Sequence, residues 1–326
     1  MCAGLRYKPF MVDVEQLCRQ LVRTLRGDRS QRALSRRLQY TTNIVYLWES
    51  GRRWPSAATF FWLAHRTGCA VSSVLEGWIP GEAGAEPWKT ESVAALMRRL
   101  QGTTPATVIA AKMGLSRDVV GRWLRGSSEP KLPDLLRFVE VTSARMLDFV
   151  ALFADPGALP AAAQDWRVLE AARLLARDQP WAPAVLLALE LADYQSLPTH
   201  RDDWVAARLS LPVAVVSECL TLLREAGQIR SVGGRWQRLE VQAVDSRIPS
   251  RPTDLKRWWT GVALSRMEAA EGVASFTICA VSEHDFGRIQ QLQRRYYRDL
   301  RALIAASTPS QRIVLLNLHA LAIDQP

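Results

Sequence analysis

The sequence predicts a mainly α protein. It should hold two tandem five-helix units, then a pair of helices followed by a small β-hairpin, then a C-terminal, mostly helical segment with one short strand. Three observations predict this. Apolar residues recur at steps of three and four along most of the chain, the period of a helix with one buried face. The frame Trp48-x-x-Gly51-x-x-x-Pro55 returns as Trp123-x-x-Gly126-x-x-x-Pro130, a constant shift of 75 that also places Leu34 on Ile109, Leu38 on Met113 and Val45 on Val120. Such gapless self-similarity argues for an internal duplication. Gly233-Gly234 stands between two short β-prone runs, a hairpin signal.

Length and charge bound the reading. The 326 residues suffice for two to four modest domains. No run of about 18 apolar residues occurs, so no membrane span is expected. The opening MCAGLRYKPFMVDVEQ has no long apolar core, so no secretory signal is expected. Five cysteines (Cys2, Cys18, Cys69, Cys219, Cys279) and four histidines (His65, His200, His284, His319) fall at no metal-ligand spacing; reduced, mostly buried thiols are the expectation. The net charge of +10 is concentrated: residues 1–80 carry 12 Lys/Arg against 5 Asp/Glu, 81–155 carry 10 against 9, and 156–326 carry 20 against 18. A basic N-terminal quarter is the footprint expected for a phosphate backbone, although a solvated arginine-rich surface has the same composition.

The domains expected are 1–80, a linker at 81–90 (the Pro/Gly/Ala/Glu run PGEAGAEPW is 80–88), a second copy at 91–155, a linker at 156–165, a unit at 166–245 and a C-terminal region at 246–326. In the first unit, Val14, Leu17, Leu21, Val22 and Leu25 mark a helix stopped by Gly27; Leu34 and Leu38 mark a second. After a turn at 39–41, Thr41 or Thr42 is a credible cap for a third helix reaching about Ser50, with Val45 and Trp48 inward. Helices at about 57–66 and 71–78 complete the unit. Further on, 166–177, 182–192, DDWVAARL (202–209) and PVAVVSECLTLLREAG (212–227) read as helices, and QIRSVGGRWQRLEV as the hairpin. Beyond 252, helices are expected at 253–271 and 285–304, a strand at ASFTICAV (274–281), and a closing apolar helix or strand at 310–323. The late helix carries an apolar stripe at Ile289, Leu292, Tyr296, Leu300 and Leu303 and arginines on its other face.

The chemistry is densest at SQRALSRRLQYTTNIVYLWESGRRWP, residues 30–55. A helix–turn–helix reads DNA when its second helix fits the major groove, apolar side chains inward and polar ones outward. Here the outward set is Gln31, Thr41, Thr42, Asn43, Tyr46 and Leu47, followed by Arg52 and Arg53. Asn and Gln can pair with adenine edges, Thr offers a hydroxyl and a methyl, and the arginines can reach phosphates. At these residues the chain resembles the phage-repressor/Cro-like, or Xre-type, helix-turn-helix family of transcription regulators. That resemblance covers roughly 14–78 and implies a five-helix fold, with Gln31 as backbone anchor, Thr42, Asn43 and Leu47 at base-reading positions, and Glu49, Gly51 and Pro55 in the family pattern. Two positions depart from it. Ser35 stands where Ala is usual, and Gln39 replaces the turn Gly, so either the turn is wider or Gln39 is left-handed.

The second copy resembles the same family less fully. Ala106 replaces the anchor, while Arg117 and Arg122 fall at reading positions, with Arg125 nearby and Asp118 between them. A second DNA contact at Arg117, Arg122 and Arg125 competes with an architectural or dimerising role. The third unit reads as a winged helix-turn-helix whose reading helix opens Leu211-Pro212-Val213-Ala214-Val215-Val216, poor in donors; Arg230, Arg235 and Arg238 lie on the wing. A protein-interaction role suits it better than base reading. Residues 166–323 also resemble the C-terminal domain of a bacterial regulator family of unknown function, which implies fold and broad role but no site residues. Trp181, Trp204, Trp258 and Trp259 suit either a core or a ligand pocket.

No Gly-rich phosphate loop, Gly-x-Ser-x-Gly, His-Glu-x-x-His or CxxC occurs, and HDFG at 284–287 lacks the other kinase motifs, so no enzyme, metal or cofactor is expected. The sequence therefore predicts a cytoplasmic, nucleoid-associated regulator of transcription, repressor-like. It would read double-stranded DNA with the helix at 42–50, act as a homodimer, and answer to a small-molecule or protein effector at its C-terminal region. The alternative is a protein-interaction adaptor whose helical units dock partner proteins.

Overall fold

The computed structural model describes residues 12–79, 86–239, 252–269, 271–275 and 277–323. Among them are 17 α-helices and one two-stranded antiparallel sheet. The chain divides into two compact units, Met1–Arg167 and Val168–Pro326. No single helix among the described residues is long and apolar enough to cross a membrane.

The first unit opens with α1 (Val14–Arg26), α2 (Gln31–Arg37), α3 (Ile44–Glu49), α4 (Ala57–Arg66) and α5 (Val71–Trp78). It continues with α6 (Thr90–Gln101), α7 (Ala106–Met113), α8 (Arg117–Arg125), α9 (Leu132–Ser143) and α10 (Met146–Ala151). Local chemistry sets these bounds. The Asp13 carboxylate accepts from Gln16 N–H, and the Ser30 and Ser56 hydroxyls accept from Ala33 and Thr59 N–H, so three helix starts have a polar cap. Leu17, Cys18, Leu21, Val22 and Leu25 of α1 are buried; each such side chain stabilises by roughly 1.5–3 kcal/mol when fully removed from water.

The 75-residue shift governs the backbone as well as the sequence. Helices α2, α4 and α5 begin at Gln31, Ala57 and Val71; α7, α9 and α10 begin at Ala106, Leu132 and Met146. Three pairs of left-handed positions match too, Gly27 with Gly102, Gly51 with Gly126, and Gln39 (φ 67°) with Gly114 (φ 67°). Of the two outcomes open for Gln39, the left-handed one is observed, so an L-residue with a Cβ occupies a conformation its counterpart fills with glycine.

Helix α3 differs from expectation. Its cap is Asn43, not Thr41 or Thr42, and the helix proper spans Ile44–Glu49 rather than 42–50. Ile44 N–H bonds Thr42 C=O, 2.8 Å, in a tight turn that holds 42–43 out of the helix. In the other copy the Ser116 hydroxyl accepts from Val119 N–H, and α8 starts two residues earlier in the repeat, at Arg117.

The two five-helix groups pack on each other. α4 lies against α6 and α9, and α1 against α9, where Arg137 pairs with Glu15. Phe60 and Phe61 of α4 meet Phe149 and Phe153 at 5.0–6.3 Å in edge-to-face and tilted contacts, with Trp78 5.2 Å from Phe149. An antiparallel bridge joins Ser56 to Lys131: Ala57 N–H donates to Pro130 C=O and Leu132 N–H to Pro55 C=O, both 2.9 Å.

Helix α11 (Ala163–Asp178) carries the chain across the division. The second unit then holds α12 (Ala182–Ala188), α13 (Ala192–Gln195), α14 (Asp202–Leu209), α15 (Val213–Glu225), strands β1 (Ile229–Val232) and β2 (Arg235–Arg238), α16 (Pro252–Arg266) and α17 (Glu283–Ala306). The strands turn at Gly233-Gly234, both at positive φ, and pair Ile229 with Arg238 through Val232 with Arg235. The core is built on α12, α14 and α15, with Tyr194 wholly buried.

Two sequence expectations fail here. The described residues of 274–281 form no strand: they are exposed, Ile278 by 80%, and no neighbouring strand supplies the ladder that an extended run needs. Residues 310–323 form neither helix nor strand. They run along the unit as irregular chain, with Ala192 N–H donating to Ser310 C=O (2.8 Å) and Arg208 to Gln311 C=O (2.7 Å). The apolar stripe of α17 is largely open, with Leu292 and Leu303 63% and 69% exposed.

Candidate nucleic-acid interface

The α2–α3 region gathers the residues singled out from the sequence. Leu34, Leu38, Val45 and Trp48 are buried, and Tyr40 meets Trp48 edge-on at 5.8 Å. The turn is tied by one hydroxyl. Ser35, 2% exposed, donates to Gln31 C=O (2.7 Å), lies 3.2 Å from Asn43 Oδ1, and accepts from Val45 N–H (3.2 Å). Ser35 is therefore the fastener between α2 and the start of α3.

Above this floor, Thr41, Thr42, Tyr46, Arg52 and Arg53 are exposed; Gln31, Asn43 and Leu47 are half-buried. Arg52 lies over the Tyr46 ring, 5.5 Å from its centroid. Asn43 holds its carbonyl oxygen against Ser35, which leaves its amide N–H groups as the outward chemistry. Glu49 is the one acid within the stretch 30–55, and its side chain is only 4% exposed. It accepts from Arg26 Nε (2.6 Å) and Gln31 Nε2 (2.7 Å). That pair neutralises the carboxylate and fixes Gln31. The stretch 30–55 thus presents donors and arginines and no exposed carboxylate of its own, a surface able to bind anions and hydrogen-bond acceptors. Arg19 packs at Gly51, where a Cβ would lie 2.9 Å from its Nε. Sequence reasoning missed Arg26, Ser35 and Arg19 as the layer beneath the face. Only Ser35 carried a signal, its departure from Ala; the partnership of Arg26 and Glu49, 23 residues apart, has none.

On α8, Arg117, Arg122 and Arg125 are exposed, as is Asp118, while Val120, Trp123 and Leu124 are buried. Arg98 of α6 donates to Leu124 C=O (2.7 Å), so α8 is fixed from behind. Other acids of this copy are engaged elsewhere: Glu140 accepts from Met146 N–H, Asp148 meets Arg145, Asp134 meets Arg137, and Glu129 meets Thr90. Burial pushes the Asp134 carboxyl up despite Arg137 beside it.

The hairpin region behaves differently. Arg238 pairs with Glu190 (2.9 Å) and Arg235 donates to Gln195 C=O, so two of its three arginines turn inward; Arg230 is exposed. Ser217 donates to Asp202, Asp202 meets His200 Nε2 (2.6 Å), and His200 Nδ1 lies 3.0 Å from Tyr194 Oη, which accepts from Trp236 N–H. This half-buried chain fastens β2 to α14 and α15. Trp181, Trp258 and Trp259 stack edge-to-face at 4.8–5.4 Å, and Arg266 covers Trp181 at 5.0 Å while donating to Leu209 C=O. Trp204 packs on Tyr194. The four tryptophans pack against side chains of their own unit. Of the described thiols, Cys18 and Cys219 are buried, Cys69 is half-buried and Cys279 exposed, fewer buried than expected. No group of three or more His, Cys, Asp or Glu that could hold a metal occurs among the described residues.

Fold and site define a mainly helical protein that presents a donor-rich, arginine-flanked helix face. Residues 160–322, half of the 326, match the family model described as Domain of unknown function (DUF4423), and the chain belongs to that family. No curated protein and no solved structure matches the chain.

Proposed function

We propose that the chain is a sequence-specific DNA-binding regulator of transcription, repressor-like. In this reading residues 14–78 form an Xre-type helix-turn-helix unit that reads the major groove with α3 and the turn before it, and the family domain at 160–322 carries control. The observation that supports it most is the α2–α3 face. Its acid is buried against Arg26 and Gln31, while Thr42, Tyr46, Arg52 and Arg53 stand outward. A surface shaped only for stability has no need to withdraw its one carboxylate and leave arginines unneutralised. Thr42 and the Asn43 amide would meet base edges, and Arg52 and Arg53 the phosphates.

The test is enrichment of bound duplexes from a random pool by the full chain, followed by affinity against salt. Arg52→Ala with Arg53→Ala should weaken binding on every sequence and lower the log–log salt slope by about 2, roughly one for each phosphate no longer neutralised. Thr42→Ala with Asn43→Ala should relax the recovered motif, costing about 1–3 kcal/mol for each base-edge pairing removed. Retention of wild-type affinity, slope and motif by both variants would remove the assignment. The second reading, a protein-docking adaptor, is favoured at one place. At the hairpin unit, whose fold resembles a winged helix, α15 opens on Val213, 47% exposed, and two wing arginines are tied inward.

A further inference from the structure

We infer that the two five-helix copies form a dimer within one chain, so that a single molecule presents two unlike reading helices, α3 and α8, to two unlike half-sites of one duplex; this rests on the DNA reading above. The geometry that carries it is the Ser56–Lys131 bridge. An antiparallel bridge has a local two-fold axis midway between its two residues, which exchanges the bonds Ala57 N–H to Pro130 C=O and Leu132 N–H to Pro55 C=O. Ser56 and Lys131 are 75 apart, as are Pro55 and Pro130, and Ala57 and Leu132. The axis of the bridge therefore relates residues that the duplication also relates. The seam obeys the same exchange: α1 on α9 has its counterpart in α6 on α4, and α4 meets its own equivalent α9. Copies joined this way bury a self-matching surface, as two subunits of a symmetric dimer do.

The two readers are not chemically equal. Thr42 and Asn43 have Arg117 and Asp118 as their counterparts, and Leu47 has Arg122. Arginine pairs with guanine O6 and N7, and a carboxylate accepts from cytosine N4, whereas Thr and Asn suit A·T pairs. The near-neutral balance of the second copy does not describe its α8 face, because several of its acids are engaged away from that face, at Glu140–Met146, Asp134–Arg137 and Glu129–Thr90. The site expected is thus bipartite and inverted, with an A·T-reading half under α3 and a G·C-reading half under α8, bound by one chain.

Sites enriched from random duplexes by the full chain, the chain-to-duplex ratio from native mass spectrometry, and circular dichroism of each variant test this. The expected result is one chain per duplex and two unlike inverted halves. Arg117→Ala with Arg122→Ala should relax only the G·C half and weaken binding about tenfold or more, while Thr42→Ala with Asn43→Ala relaxes only the other, each variant keeping wild-type helicity. Two chains on two identical halves, or an unchanged motif and affinity for the α8 variant, would overturn the inference and leave the α3 reading standing. Failure of the wild-type chain to enrich any motif would overturn both.

Discussion

Gln39 and Gly114 occupy the same place in the two copies and the same left-handed backbone, φ 67° in each. Only Gly114 suits it without strain. A non-glycine residue there loses roughly 1–2 kcal/mol to the clash of its Cβ with the following carbonyl, while glycine gives back about 0.5–1 kcal/mol through its looser unfolded chain. Gln39→Gly should therefore stabilise the first unit by about 0.5–1 kcal/mol. The Gln39 side chain is exposed, so its removal uncovers no buried surface that would offset the gain. The reciprocal change, Gly114→Ala, meets nothing within 4 Å of the new Cβ, so its cost is conformational alone, about 1 kcal/mol. For a unit of this size a change of about 1 kcal/mol moves the melting midpoint by roughly 2–4 °C. Calorimetry should show the first unit's transition rising in Gln39→Gly and falling in Gly114→Ala. A fall in the first variant, or no change in the second, would refute the argument that conformation alone sets these two positions.

Further outcomes follow from the layer beneath the α3 face. Glu49→Ala strands Arg26 and Gln31 and should cost about 2–3 kcal/mol in urea unfolding, reduced from a fully buried pair because Arg26 is partly solvated. Ser35→Ala leaves Val45 N–H without its partner in a buried site, a loss of about 1–2 kcal/mol by the same measurement. Desolvation lifts the Cys219 thiol to about 11 from an ordinary 9.0, and lifts that of Cys18 well above its usual value. The raised folded value means that the thiol's contribution is complete below pH 9 and is lost as the pH rises toward 11. Unfolding free energy should decline across that window, and Cys219→Ser should flatten the decline. At about pH 8, iodoacetamide should label Cys279 first and spare Cys18 and Cys219, as peptide mapping would show.

Much of the first unit was legible as pattern. Helices α4 and α5 begin and end where the apolar spacing placed them, and the hairpin turns on Gly233-Gly234, because local period and glycine conformation decide such features. The start of α3 was misplaced: two adjacent threonines offered caps, and the Ser35 hydroxyl, eight residues from Asn43, settled the competition. The run 274–281 has the composition of a strand, but composition does not supply a neighbour to bond with.

The sequence by itself determined the duplication, the buried sides of α1, α2 and α3, and the concentration of positive charge in the first quarter. These are properties of spacing and residue type, which a linear chain carries in full. Only the tertiary structure decided which charges remain on the surface. Glu49 is withdrawn by Arg26 across 23 residues, Arg238 and Arg235 of the hairpin turn to Glu190 and Gln195, and the second copy engages several acids in contacts away from α8. Only it, too, placed Ser56 against Lys131. Charge pairing and bridge formation depend on distances between residues far apart in the chain, and a count along the sequence has no access to them.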